Sequence, residues 1–253
     1  MTITFLGTGT SQGIPVIACD CTVCSSLDFR DNRTRTSIHV EYQGQSIVVD
    51  TGPDFRFQML RERIKKLDAV LFTHQHRDHT AGLDEVRSFN FKQKSDVPVF
   101  ASEDVIKQLK KDFGYIFAGA NYPGLPRIVT NSITNNTFKI GTQEIKPIQV
   151  LHLKLPVFGF RFGDFTYITD ANHIPEKEKI KIMGSKTLVL NALQLNTHPS
   201  HFNLEEALQL VEELQPQTTY LTHISHNLGL HKKVETDLPS NVHLAYDGLK
   251  LIS

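Results

Sequence analysis

The sequence predicts an α/β fold in which two sheets are faced by helices. Short strand candidates fall into two groups, helical segments are interspersed with them, and no repeat, coiled coil or low-complexity tract points elsewhere. A chain of 253 residues is long enough to bury most of its unfolded surface. Nothing in it reads as a linker, so residues 1–253 are expected to form a single domain.

In the first group, "TITFL" leads into the Gly-rich "GTGTSQG", and "TSIHVEY" with "SIVVD" flanks the turn "QGQ" as a hairpin. A helix is expected after Pro53. "DAVLFT" then reads as a buried strand that runs straight into "HQHRDH". "SEDVIKQLKKDF" has the marks of a helix: Ser102 as N-cap, Glu103 and Asp104 in the first turn, and lysines toward the end where the helix dipole is negative. Residues 114–127, "GYIFAGANYPGLPR", carry too much Gly and Pro for regular structure. They are expected to form a surface excursion able to border a substrate site.

The second group holds "EIKPIQVLHLKL", "VFGFRFG" and "FTYITD", followed by the short buried strand "TLVLN". In "NLEEALQLVEEL", Asn203 is the N-cap and Glu206 stands at the capping-box position, while Leu204, Ala207, Leu208, Val211 and Leu214 recur on one helical face. Strand "TTYLTH", a short helix near "HKKVETDL" and strand "VHLAY" close the chain.

Lys+Arg and Asp+Glu both number 27, so no strong net field draws the molecule to nucleic acid or an anionic membrane. The N-terminus "MTITFLGTGTSQG" lacks a basic leader, and no window supplies the roughly 20 apolar residues of a membrane span. A soluble, cytoplasmic protein is the expectation. In that compartment the three cysteines, Cys19, Cys21 and Cys24 in "ACDCTVC", point to metal rather than to disulfides. A closed structural zinc site needs four protein ligands, so a fourth must come from elsewhere.

The chain has twelve histidines. "LFTHQHRDHTAGLDE" places His74, His76, Asp78 and His79 together just past a buried strand. A turn at a rigid strand end can splay such ligands onto two neighbouring cations. Isolated partners of the same kind, His152, Asp170 and His223, each follow a later strand.

"THQHRDH" with those later residues resembles the metallo-β-lactamase superfamily, and the resemblance runs from "TFLGTGTSQGIP" to "HLAYDG". It implies a four-layer αββα sandwich with a dinuclear site along one edge. Carried over by position, His74, His76 and His152 would hold one metal, Asp78, His79 and His223 the other, and Asp170 would bridge them. An Asp at the place of Asp50 supports the ligand loop in the family, though a plain strand-end turn explains it as well. "CDCTVC" after "GIP" is similar to the phosphoribosyl cyclic phosphodiesterase branch, in which a structural zinc also takes a histidine three residues past the last catalytic one. That residue is His226, which would complete a Cys₃His site. Relatives carry a proton-donating histidine where this chain has His201, with His198 a weaker competitor. His201 and Asp78 are the candidate catalytic residues. His39, His173, His231 and His243 have no evident partner. "GTGTSQG" lacks the endings of a nucleotide loop.

Two divalent metals bring four positive charges, two aspartates remove two, and a bound hydroxide removes one more. Such a centre suits a phosphodiester anion. The expected activity is therefore metal-dependent hydrolysis of a small or cyclic nucleotide-like phosphodiester, with two catalytic metals (Zn, Mn or Fe) and one structural Zn. The alternatives are a thioester or lactam hydrolase, a tRNA 3′-processing-type endonuclease, and a non-hydrolytic member resembling the accessory protein of pyrroloquinoline quinone synthesis. No long basic insertion is present to grip tRNA, and no membrane partner is expected. The oligomeric state is open, a homodimer included.

Overall fold

Strand formation follows the β-branched and aromatic runs. β1 (Thr2–Gly7), β2 (Ser37–Tyr42), β3 (Gln45–Val49), β4 (Ala69–Leu71), β5 (Val97–Ala101) and β6 (Ile128–Ser132) lie side by side in chain order. The structure, a computed structural model, describes residues 1–118 and 123–252. β7 (Phe138–Ile140), β8 (Gln143–His152), β9 (Leu155–Phe162), β10 (Phe165–Tyr167), β11 (Thr187–Asn191), β12 (Thr218–Thr222) and β13 (Val242–Leu244) build a second sheet of seven strands, again in chain order. β14 (Lys250–Ile252) then returns to pair antiparallel with β1, which makes the first sheet seven-stranded too.

The hairpin register fits the turn chemistry. Gln43 and Gly44 take positive φ, as a tight hairpin requires, and Tyr42 pairs with Gln45. β3, β4, β5 and β6 run parallel, as do β10, β11, β12 and β13.

Helices cover the outer faces. α1 (Phe55–Arg61), α3 (Arg87–Gln93) and α4 (Glu103–Asp112) pack Phe55, Met59, Phe89, Val105, Ile106 and Leu109 against Val48, Val70 and Val99 of the first sheet. Between α1 and α3 comes α2 (Arg77–Thr80); α5 (Gly114–Phe117) follows α4. On the second sheet α6 (Glu176–Ile182) and α7 (Leu204–Leu214) place Ile182, Ala207, Leu210, Val211 and Leu214 against Leu188, Leu190 and Leu221, and α8 (His231–Asp237) follows. Between the sheets, Ile38, Ile47, Val49 and Leu71 meet Phe160, Phe162, Tyr167 and Val189. The result is the four-layer αββα sandwich of the metallo-β-lactamase fold.

Ser102 caps α4 by accepting from the Val105 amide, and Asn203 with Glu206 forms a full capping box on α7. The α7 face differs slightly from expectation: Leu210 is buried, while Leu204 and Leu208 are only partly so. Within 114–127, Gly114–Phe117 forms one helical turn rather than irregular chain, since "YIF" carries no breaker. Residues 119–122 of the expected excursion lie outside the described residues. Among the described residues no helix is long and apolar enough to cross a membrane.

Candidate metal centre

The parallel strands of both sheets deliver their carboxyl ends to one edge, where side chains from different strands converge. Three residues there adopt left-handed backbone: Asp50 (φ 65°) after β3, Asp170 (φ 54°) beyond β10 and His223 (φ 56°) after β12. Asp and His tolerate this conformation better than bulky residues do. It swings each side chain off the strand axis into the edge.

Asp78, His79, Asp170 and His223 form one cluster, and His152, Asp170 and His201 form a second, so Asp170 is common to both. Asp170 Oδ2 lies 3.2 Å from His79 Nε2, and Oδ1 lies 3.1 Å from His223 Nε2. Asp78 Oδ2 is 3.3 Å from His79 Nε2. His74 and His76 pair through Nε2 and Nδ1 at 2.9 Å, and their rings lie 5.9 and 5.2 Å from that of His152. His74 and His76, which the sequence grouped with His152, thus lie beside it, and His201 stands with His152 and Asp170 in the second cluster. His201 stacks on His223 at 4.6 Å and lies 4.5 Å from His152.

His79 and His152 are oriented from behind. Asp50 is fully buried; it accepts from Thr73 N and Oγ1 and from His79 Nδ1 at 2.7 Å, which turns His79 Nε2 toward the centre. His152 Nδ1 donates to Ser200 O at 2.8 Å. The Asn191 amide grips Ala171 through both backbone N and O, fixing the residue next to Asp170. Two glycines permit the closeness: a Cβ on Gly52 would meet Asp78 O at 2.2 Å, and one on Gly82 would meet Gly52 O at 2.2 Å. The sequence offered strand-ending Asp50 as a hint. It gave no sign of Asn191, Ser200, Gly52 or Gly82, whose roles depend on chain segments far away.

Burial opposes charge throughout the centre. It pushes His74 and His152 below the ordinary histidine value. It works against His79 too, yet Asp170, Asp78 and Asp50 together hold that ring well above it. Desolvation would raise Asp170, but His223 and His79 hold its carboxyl well below the usual range. Burial and the neighbouring His223 push His201 down to about 2. Several buried nitrogens, His79 Nε2, His201 Nδ1 and both of His223, have no hydrogen-bond partner. Lone pairs aimed at anionic oxygens across about 3 Å, on buried groups that should be satisfied, fit a shared divalent cation.

The second group lies nearby. Sγ of Cys19, Cys21 and Cys24 stand 3.3, 3.5 and 3.4 Å from His226 Nδ1. A zinc tetrahedron with Zn–S of about 2.3 Å and Zn–N of about 2.0–2.1 Å separates S from N by roughly 3.5 Å, so the donor set fits. The Cys24 amide holds the Cys21 thiol down to about 6, and the amides of Cys24 and Val16 donate to Cys21 and Cys24 sulfur. Burial pushes Cys24 up to about 11.

The Gly-rich "GTGTSQG" is committed to structure. Thr10 N donates to Ile224 O and Ile224 N to Thr8 O, so the loop braces the segment that carries His223 and His226. His39 and His231 are buried, the first against Ser46 and the second against Arg33; His243 meets Glu235, and His173 bridges to Leu151.

Residues 45–224 match the sequence profile described as a beta-lactamase superfamily domain, and the chain belongs to the metallo-β-lactamase superfamily. A narrower likeness is to a diphosphatase from the PhnP family with a known crystal structure, at 40% identity and a TM-score of 0.93, covering 100% of this chain and 97% of that one. The resemblance expected from "THQHRDH" and "ACDCTVC" is thus met. The octanoyltransferase of Porphyromonas gingivalis (strain ATCC BAA-308 / W83) is 34% identical over 250 residues, 98% of this chain and 50% of that protein. The chain therefore spans about half the length of that curated relative. Zn(2+)-bound PqqB from Methylobacterium extorquens shares the fold at 18% identity and a TM-score of 0.81, each chain covered in full (100%).

Proposed function

We propose that residues 1–253 form a single metal-dependent hydrolase domain that cleaves a small phosphodiester. The observation that carries this reading is Asp170, whose carboxylate belongs to both donor clusters. Two divalent cations held there would supply Lewis acidity and a water of lowered pKa. His74, His76 and His152 would hold one, and Asp78, His79 and His223 the other, with Asp170 between them. The N/O donors suit Zn, Mn or Fe, and the thiolates with His226 suit structural Zn.

The chain's own groups define what the centre accepts. Asp78 and Asp170 contribute two negative charges against the four of two divalent cations, so the loaded site favours an anion. His201 is placed to donate a proton to the leaving oxygen. Its ring is held neutral by burial and by His223, and a phosphodiester anion docked beside it would raise its proton affinity. Asp50, Ser200 and Asn191 keep the imidazoles and Asp170 in register. Full-length likeness to a PhnP-family diphosphatase supports the phosphoryl assignment.

Acyl thioester hydrolysis is the second reading, and the match to an octanoyltransferase is what favours it. Metal-analysed protein assayed against cyclic and linear phosphodiesters and an octanoyl thioester separates the two. Phosphodiester turnover lost on chelation and restored by Zn, Mn or Fe is the expected result. Thioester turnover without phosphodiester turnover would overturn it.

A further inference from the structure

The outer face of the first sheet changes character along β1. Leu6 and Val48 pack with Phe55 and Met59 of α1, whereas the next row across β14, β1 and β2 sets Lys250, Thr4 and His39 side by side. α1 ends at Arg61, and the turn after it, residues 62–66, lines with this row a cavity of about 320 Å³. Ser46, also in its wall, opens β3, while Asp50 follows the other end of that strand, so the cavity lies at the edge of the sheet opposite the metal centre. Its floor is polar and buried, with Thr4 and His39 3% and 2% exposed. Ser46 Oγ donates to Lys66 O at 2.6 Å and so accepts from His39 Nε2 at 2.7 Å, which leaves Nδ1 of the neutral ring a bare acceptor. Neither that nitrogen nor the Thr4 hydroxyl has a hydrogen-bond partner among the described residues. Buried polar groups are ordinarily satisfied, so both call for a ligand. At the rim, Arg63 and Lys65 are exposed and make no ion pair among the described residues, while Lys66 is shared with Asp68 at 2.8 Å and Lys250 with Glu62 at 3.5 Å. Glu41 and Glu62 are the carboxylates in the wall, so cations outnumber them here although the whole chain is balanced.

We propose that this cavity is an accessory site for a phosphate group, either the free ion or the monoester of a small alcohol. It stands apart from the metal centre and does not depend on the reaction catalysed there. The Thr4 hydroxyl donates to one phosphate oxygen, His39 Nδ1 donates to another once protonated, and Arg63 and Lys65 supply charge from the rim. The volume lies at the small end of the roughly 300–1,000 Å³ of ligand pockets, so a phosphate with a short substituent fills it. The charged groups facing His39 are Lys250 from β14, Glu62 with the cations of the 63–66 turn, and Glu41 from its own strand. Burial and Lys250 push the ring down to about 4 against the pull of Glu62. A phosphate beside it opposes both effects, so binding takes up a proton on His39.

The test titrates zinc-loaded protein with inorganic phosphate and with methyl phosphate while NMR follows the His39 ring, its signals assigned by their loss in His39→Gln. The pKa of that ring should rise from about 4 by about 1–3 at saturation. Phosphate held at the metal centre leaves this ring unmoved, so the two sites are read separately. Thr4→Val keeps the β-branched shape and removes the hydroxyl; it should weaken the affinity reported by His39 about 10- to 100-fold, the loss expected of a hydrogen bond to a charged group. Thr4→Ser, which keeps the hydroxyl, should bind as wild type does. Lys65→Glu should weaken binding as well, with zinc content unchanged in all variants. Tighter binding of inorganic phosphate assigns the site to the free ion, and tighter binding of methyl phosphate assigns it to a monoester. Weakening in Lys65→Glu without weakening in Thr4→Val would mean diffuse attraction to the rim and overturns the site. A His39 ring that responds to neither probe overturns it too.

Discussion

His223 and His226 stand three residues apart after β12, yet each belongs to a cluster built on a different principle. The His/Asp cluster is drawn from strand ends of both sheets. His79, Asp170 and His223 are buried, and the imidazoles of His79 and His152 are held from behind by a carboxylate and a carbonyl. The Cys/His cluster is drawn from loops, its four residues are half-buried, and its donors are mostly sulfur. Rigid, desolvated N/O donors with an unfilled coordination sphere suit chemistry, whereas a saturated tetrahedron of thiolates and imidazole suits cross-linking. One short segment, carrying His223 and His226, therefore joins the two clusters.

The sharpest way to break that division is to exchange the fates of the two histidines. His223→Ala removes a ligand from the buried centre. Its turnover should fall by more than the roughly 10–100-fold typical of outer-shell partners, with the melting temperature little changed. Equal losses of stability in His223→Ala and His226→Ala, measured by calorimetry beside elemental analysis, would erase the distinction.

Next in size is His201→Ala. An alkoxide leaving group should lose about 10²–10⁴ in kcat, while a nitrophenolate, which departs unaided, should lose little. A uniform loss on both would reassign His201 to the metal shell, a role its presence in the second donor cluster also permits.

Asp50→Asn tests the support behind the centre. The amide can no longer accept charge-assisted bonds from both Thr73 and His79, so metal affinity should weaken by about 10–100-fold. Competition with a chromogenic chelator measures this, and zinc in the Cys/His cluster should be retained.

His226→Ala should release the structural zinc and lower the melting temperature, with turnover falling only as the segment loosens. Elemental analysis that finds the zinc still bound would remove His226 from that site.

The smallest effect lies outside both clusters. Burial pushes His39 and His231 from the ordinary value of 6.5 down to about 4. The unfolded chain binds these protons first, so stability should be full above about 6.5 and decline as pH falls toward 4. His39→Gln should flatten part of that slope in denaturant titrations across this range.

Much of the site was legible because its ligands are chemically unusual and locally dense. "HQHRDH" past a strand and "CDCTVC" in a loop announce themselves by residue type, and the capping residues Ser102 and Asn203 mark helices through bonds only three residues long. Strands such as β6 and β14 were missed, because a short edge strand is defined by the neighbour it pairs with rather than by its own pattern. The same reason hid Asn191, whose amide matters only because β11 lies beside the end of β10.

Sequence alone determined the class of fold, the identities of the donors and the two kinds of donor chemistry, since hydrophobic period and side-chain type are local properties. Only the tertiary structure decided that Asp170 is common to two donor clusters and that His201 stands beside both His152 and His223. Those facts are distances between residues that follow different strands, and such distances are set by how two sheets pack, not by any stretch of chain read by itself.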